Sequence, residues 1–195
     1  VILFDQRGCG KSLPQGEIKN NDTSSLVSDM ERLRVKVGVD RWFVAGGSWG
    51  STLALTYAET HPDKVLGLLL SSIFLGRKKD VAWSLTQSGG IDKIFTDLWE
   101  RRTQFLEENG ATPSDAAKVL LNKIETGSPE AVQKIVAGVM NWEGNLMSSQ
   151  SDITFTIPED VKEDNINEVK VFLHYESNDS FLSENQLLEN LEKIK

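Results

Sequence analysis

A single cysteine, Cys9, occurs in 195 residues, so no disulfide can form within the chain and a reducing, cytoplasmic setting is the default expectation. Basic residues are in deficit, with 21 Lys and Arg against 29 Asp and Glu for a net charge of −8. That balance argues against nucleic acid and against anionic membrane as partners, because both are bound by basic surface. Long apolar runs are missing too. The longest, Val65–Leu70, falls far short of the roughly 20 residues that span a membrane. No signal-peptide pattern, internal repeat, low-complexity tract or Gly/Ser/Pro-rich linker interrupts the chain. There is no initiator methionine, and residue 1 lies inside an apolar run, so the sequence reads as a fragment that begins in mid-strand. Histidine is scarce, limited to His61 and His174.

What is present is an ordinary globular composition, 39% apolar and 26% charged, enough for one real core with a smaller subdomain on it. Val1-Ile2-Leu3-Phe4 is a short apolar run of the kind a buried parallel strand uses, and it ends in the loop Asp5-Gln6-Arg7-Gly8-Cys9-Gly10-Lys11-Ser12. A polar cluster at 20–25 offers helix N-caps ahead of Leu26, Met30, Leu33 and Val37 at helical spacing, and Gly38 closes that helix. A strand at 42–46, a helix to about His61, a Pro62 stop and a strand at 65–71 follow, which is a parallel α/β pattern. From Arg77 onward helices are announced by caps at Thr112-Pro113-Ser114-Asp115 and Ser128-Pro129-Glu130, and the segment reads as a helical insertion. Glu189, Glu192, Lys193 and Lys195 read as a solvated helix face.

Between the strand Trp42-Phe43-Val44-Ala45 and the helix-forming run from Ser51 to Glu59 stands Gly46-Gly47-Ser48-Trp49-Gly50. This strand, GxSxG and helix in succession is the nucleophile elbow of an α/β-hydrolase. A serine attacks only if it is exposed and held in one orientation, and a sharp strand-to-helix turn with small residues around it does both. Ser48 is therefore the expected nucleophile. The backbone N–H of Trp49, first in the helix, is the expected oxyanion donor, aided by the helix dipole. A nucleotide-binding loop at Gly8–Ser12 is rejected. The pattern GxxxxGK[ST] would need glycine where Asp5 stands, and Leu13-Pro14 blocks the helix that should start at Lys11. Gly8 and Gly10 instead permit a tight bend, with Asp5 and Arg7 bonding to neighbouring loops.

The run from Asp5 to Ser12, the elbow with Ser51-Thr52-Leu53-Ala54-Leu55, then Thr60-His61-Pro62 and Trp142-Glu143-Gly144 in that order closely resemble the proline iminopeptidases (prolyl aminopeptidases). The resemblance covers nearly the whole chain and is strongest in the first 75 residues. It implies a partial α/β-hydrolase parallel-sheet core over 1–75 and, over 76–195, a mainly helical cap with the lead-in to further core. It implies a serine aminopeptidase that releases N-terminal proline from small peptides through an acyl-enzyme, with a Ser, Asp and His triad and neither metal nor other cofactor. Arg77 and Trp83 match the family and are the expected substrate-binding residues.

The triad is not completed within these residues. His61 lies thirteen residues past Ser48, roughly 20 Å along a helix, and is expected to finish that helix rather than act as base. His174 falls in the cap with a local hydrogen-bonding role. Phe172 stands where the family carries a glutamate that grips the substrate's amino terminus, and Ser84 and Leu85 replace aromatics after Trp83. Glu143 and Glu176 are alternative amine partners, each otherwise a solvated or packing carboxylate. These departures leave an alternative open: an esterase-like hydrolase of altered specificity, or a non-catalytic binding protein of the same fold.

Overall fold

The computed structural model describes residues 1–87, 89–147 and 161–194; Lys195 lies outside them. In chain order the elements are α1 (Thr23–Lys36), β1 (Trp42–Gly47), α2 (Trp49–Thr60), β2 (Val65–Ser71), α3 (Lys78–Leu85) and α4 (Ile91–Ile94). They continue with α5 (Thr96–Glu108), α6 (Ala116–Thr126), α7 (Pro129–Met147), α8 (Glu163–Ser177) and α9 (Gln186–Glu189). Contacts divide the chain into two units. An elbow unit comprises Asn20–Val81 with Asp179–Lys195, and a helical unit comprises Val1–Lys19 with Ala82–Asn178. The division differs from a boundary at 75 in assigning the first nineteen residues to the helices and in returning the last stretch to the elbow.

In the elbow unit, Asp22 caps α1 by accepting the Ser25 N–H at 2.7 Å, satisfying one of the donors that a helix start leaves open. Arg34 and Lys36 occupy the last turn, where cations suit the helix dipole, and Gly38 at φ +73° takes the chain out of the helix. Leu26, Val27 and Met30 form the buried face, while Val37 is exposed. β1 and β2 pair in parallel, with Val44 opposite Leu68 and Gly47 opposite Ser71. A parallel pair needs a long crossover, and α2 supplies it. Tyr57 of α2 is fully buried and donates to Glu31 Oε2 at 2.9 Å, while Arg34 forks the same carboxylate at 2.9 and 2.6 Å. The guanidinium holds the Glu31 carboxyl down at about 2. The stretch after Asp179 returns to this unit: Ser180 O accepts from Thr23 Oγ1 across 157 residues of sequence, and Leu187 is buried.

In the helical unit, Leu106, Leu120, Ile124, Ile135, Val136 and Leu173 meet in one core built by α5 to α8. On α7, Val132, Ile135, Val136 and Val139 recur at the 3, 4 and 7 spacing of a single buried face. Gly138 lets a ring in: a Cβ there would lie 2.3 Å from Phe105 Cε2. Of the two expected caps one forms, with Ser128 Oγ accepting the Ala131 N–H ahead of Pro129; Asp115 precedes α6 but its side chain caps none of that helix's amides, its Oδ1 instead accepting the upstream Thr112 N–H.

Two expectations fail in this unit. Val1–Phe4 is not a strand; among the described residues the sheet has two strands, and these four side chains are exposed. A strand exists only through a hydrogen-bonded neighbour, and this run has none. Asp5 bonds within its own loop rather than to a neighbouring one, accepting the Lys11 N–H at 2.9 Å, while its carbonyl accepts from Ser12 Oγ at 2.7 Å. Gly8 and Gly10, at φ +74° and +54°, make that closure possible.

Candidate active site

β1 ends at Gly47 and α2 begins at Trp49, so the strand-to-helix reversal falls on one residue. Ser48 takes φ +53° and ψ −123°, a left-handed conformation that costs a non-glycine residue about 1–3 kcal/mol. The surrounding structure holds it there. The Ser48 N–H donates to Ser71 O at 3.1 Å, and Ser48 O accepts from Ser51 N at 2.9 Å and from Ser51 Oγ at 2.6 Å. The same Ser51 hydroxyl accepts the Phe74 N–H at 3.0 Å, and Thr52 Oγ1 donates to Phe74 O at 2.6 Å. Ser51 and Thr52 are fully buried, whereas Ser48 is exposed. Crowding explains the glycines: a Cβ on Gly46 would lie 2.1 Å from Gly50 O, and one on Gly47 would lie 2.8 Å from Ser71 Oγ. Trp49 is residue one of α2 and half-buried, so its N–H belongs to the first-turn amides that a helix cannot satisfy internally.

The other expected residues are placed as follows. Arg77 forks Asp80, with Nε to Oδ2 at 2.8 Å and Nη2 to Oδ1 at 2.6 Å, and so closes the first turn of α3. Trp83, also on α3, groups with the helical unit and is 47% exposed; its indole edge occupies the space beside Gly90, where a Cβ would meet Nε1 at 2.3 Å. His61 follows the last residue of α2, donates its N–H to Tyr57 O, and sets its ring 5.1 Å from the Tyr57 ring. His174 lies on α8 of the helical unit, where its carbonyl accepts from Ser177 Oγ and Asn178 Nδ2.

The sequence matches the α/β-hydrolase fold family over residues 1–137. The chain belongs to that family. Among curated relatives, a probable proline iminopeptidase of Leptolyngbya boryana is 38% identical over 198 aligned positions, covering all of this chain and 60% of the relative. A proline iminopeptidase of Arabidopsis thaliana is 37% identical over all of this chain and 51% of its own length. One from Neisseria gonorrhoeae is 45% identical over 56% of this chain and 35% of the relative. The chain thus spans about half to three fifths of the relatives it matches end to end. Among the described residues of this α/β-hydrolase chain, no helix is long and apolar enough to cross a membrane.

The helical unit of the hydrolase-fold chain holds a cavity that sequence reading missed. Leu85, Arg102, Phe105, Trp142, Glu143, Phe172 and Glu176 are among its walls. Glu143 and Glu176, expected as alternative amine partners or otherwise as solvated or packing carboxylates, line it, and burial pushes both carboxyls up, Glu176 to about 7. Arg102 on α5 is 6% exposed and lies over two indoles, 5.3 Å from the Trp99 centroid and 4.9 Å from that of Trp142. Burial lowers its affinity for its proton while both carboxylates raise it. One signal was available: Trp99 and Arg102 stand three apart on a helix, the spacing at which side chains meet. Ser51 and Thr52 were likewise missed, because their partners lie more than twenty residues downstream.

Proposed function

We propose that this chain carries the nucleophile of a serine-type hydrolase of the prolyl aminopeptidase kind, which releases N-terminal proline from small peptides in the cytoplasm. The observation that carries the reading is the strained, exposed Ser48 at the N-terminus of α2, joined by the names of the end-to-end relatives. In this reading residues 1–75 are the partial hydrolase core and 76–195 the mainly helical cap with the lead-in to further core. Arg77 and Trp83 contribute to substrate binding, Arg77 through Asp80-fixed geometry rather than a free guanidinium.

The chemistry follows from the geometry. Ser48 Oγ attacks the carbonyl carbon of the terminal residue as its proton passes to a histidine base; in this fold the acid and the histidine follow the serine in chain order. His61 is not that base, because the twelve-residue α2 separates it from Ser48. The negative oxygen that develops is met by the Trp49 N–H and the positive end of the helix. Collapse expels the amine of the shortened peptide, which takes the proton, and water then cleaves the Ser48 ester to free the amino acid. No step requires a metal or cofactor.

The test uses the intact gene product that contains these residues. A fluorophosphonate probe is expected to modify Ser48 alone, and Ser48→Ala is expected to abolish labelling and to lower proline-arylamide hydrolysis by several orders of magnitude. Labelling that persists in Ser48→Ala would defeat the assignment.

A further inference from the structure

Ser51, the third residue of α2, is fully buried, and its hydroxyl is used twice. Oγ accepts the Phe74 N–H at 3.0 Å and donates to Ser48 O at 2.6 Å. A serine that bonds back to a carbonyl one turn earlier is common near helix starts and by itself means little. Here the second partner removes the choice. A hydroxyl has one proton, and because the Phe74 N–H can only donate, that proton is committed to Ser48 O. Phe74 is itself fixed from the next residue of α2, since its carbonyl accepts from Thr52 Oγ1 at 2.6 Å. Ser48 O also accepts the Ser51 N–H at 2.9 Å, so two donors of one residue converge on this carbonyl.

The carbonyl of Ser48 and the N–H of Trp49 are opposite ends of one planar peptide unit, and in a trans peptide they point in opposite directions. Whatever fixes the carbonyl fixes the N–H. We propose that Ser51 is a positioning residue for the oxyanion donor: by gripping Ser48 O it holds the Trp49 N–H in one direction throughout the reaction. The inference rests on the Ser48 hydrolase reading and deepens it. Without that grip the orientation of this peptide is set by ψ of Ser48, whose backbone is strained and would relax if released. Relaxation would swing the carbonyl and the N–H together. The Ser48 N–H on the other side is tied to Ser71 O at 3.1 Å, so the peptides before and after the nucleophile are each anchored. Hydrogen bonds to a carbonyl also polarise its amide and strengthen the N–H as a donor, which matters most when negative charge develops on the substrate oxygen. The effect therefore falls on the transition state rather than on substrate binding.

The intact gene product is compared as parent, Ser51→Ala, Ser51→Cys and Thr56→Val, reading the rate of Ser48 labelling by the fluorophosphonate together with kcat and KM for proline arylamide. Thr56 is the matched control: it is 6% exposed, and its hydroxyl bond, to Thr52 O at 2.8 Å, stays within α2. Loss of a whole oxyanion donor lowers kcat by about 10²–10³. Ser51→Ala keeps the donor and loses its brace, so kcat and the labelling rate are expected to fall by about tenfold or more, with KM within about twofold of the parent. Ser51→Cys fills the same space but offers only a weak donor; it is expected to fall alike, and it decides the matter if Ser51→Ala fails to fold. Thr56→Val is expected to stay near the parent. Parent-like kcat and labelling in the Ser51 variants, a loss confined to KM, or an equal loss in Thr56→Val would each overturn the inference while leaving Ser48 as the nucleophile. A parent that takes no probe at Ser48 overturns the hydrolase reading, and this inference with it.

Discussion

A Cβ at Gly46 would lie 2.1 Å from Gly50 O, whereas one at Gly50 would meet nothing within 4 Å. The two glycines of the elbow therefore answer different needs. Gly46→Ala must push backbone against backbone and is expected to cost about 1–3 kcal/mol. Gly50→Ala, in the first turn of α2, is expected to be neutral or to stabilise by up to about 1 kcal/mol, since alanine is the better helix former. Urea unfolding midpoints check both, and equal effects would contradict the close approach. Ser48 and the small residues around it were legible because the elbow writes its crowding into local spacing. Arg102, Glu143 and Glu176 were not legible as a group, because three separate helices bring them together and no local pattern encodes that meeting.

Helix α1 shows how far single elements can be read. Its cap, its closing glycine and its buried face at Leu26 and Met30 are all local chemistry, and each is where periodicity puts it. Asp22→Ala removes the acceptor for the Ser25 N–H and is expected to cost about 1 kcal/mol, measured as a lowered urea midpoint, with Asp22→Ser restoring most of it. An unchanged midpoint would mean that tertiary packing alone fixes the start of α1. β1 and β2 were equally legible, because turn signals bound them and a helix-forming run separates them. Val1–Phe4 misled for a physical reason: a short apolar run states a preference for burial but carries no information about which strand would pair with it.

Across the molecule, the two units respond to pH through different carboxylates. Glu176 titrates at about 7 against an ordinary 4.5, so the folded helical unit binds this proton more tightly than the unfolded chain does. Its stability therefore falls as pH rises from 4.5 to about 7 and changes no further from this group above that. Glu31 is held at about 2, so its contribution to the elbow unit is fully present above the ordinary carboxylate range and is lost as pH falls toward 2. Thermal melts between about pH 5 and pH 8 are expected to show a declining transition that Glu176→Gln flattens and Glu31→Gln does not. Equal slopes in parent and Glu176→Gln would contradict the burial of that carboxylate. The return of Asp179 and the residues after it to the elbow unit also sets a timetable. On the ribosome α1, β1, α2 and β2 emerge early, but the Ser180 carbonyl that receives Thr23 is made only after the whole stretch 82–178. At about 5–20 residues per second that delay lasts roughly 5–20 s. The helical segments 1–19 and 82–178 are thus all made before the elbow unit has its last part.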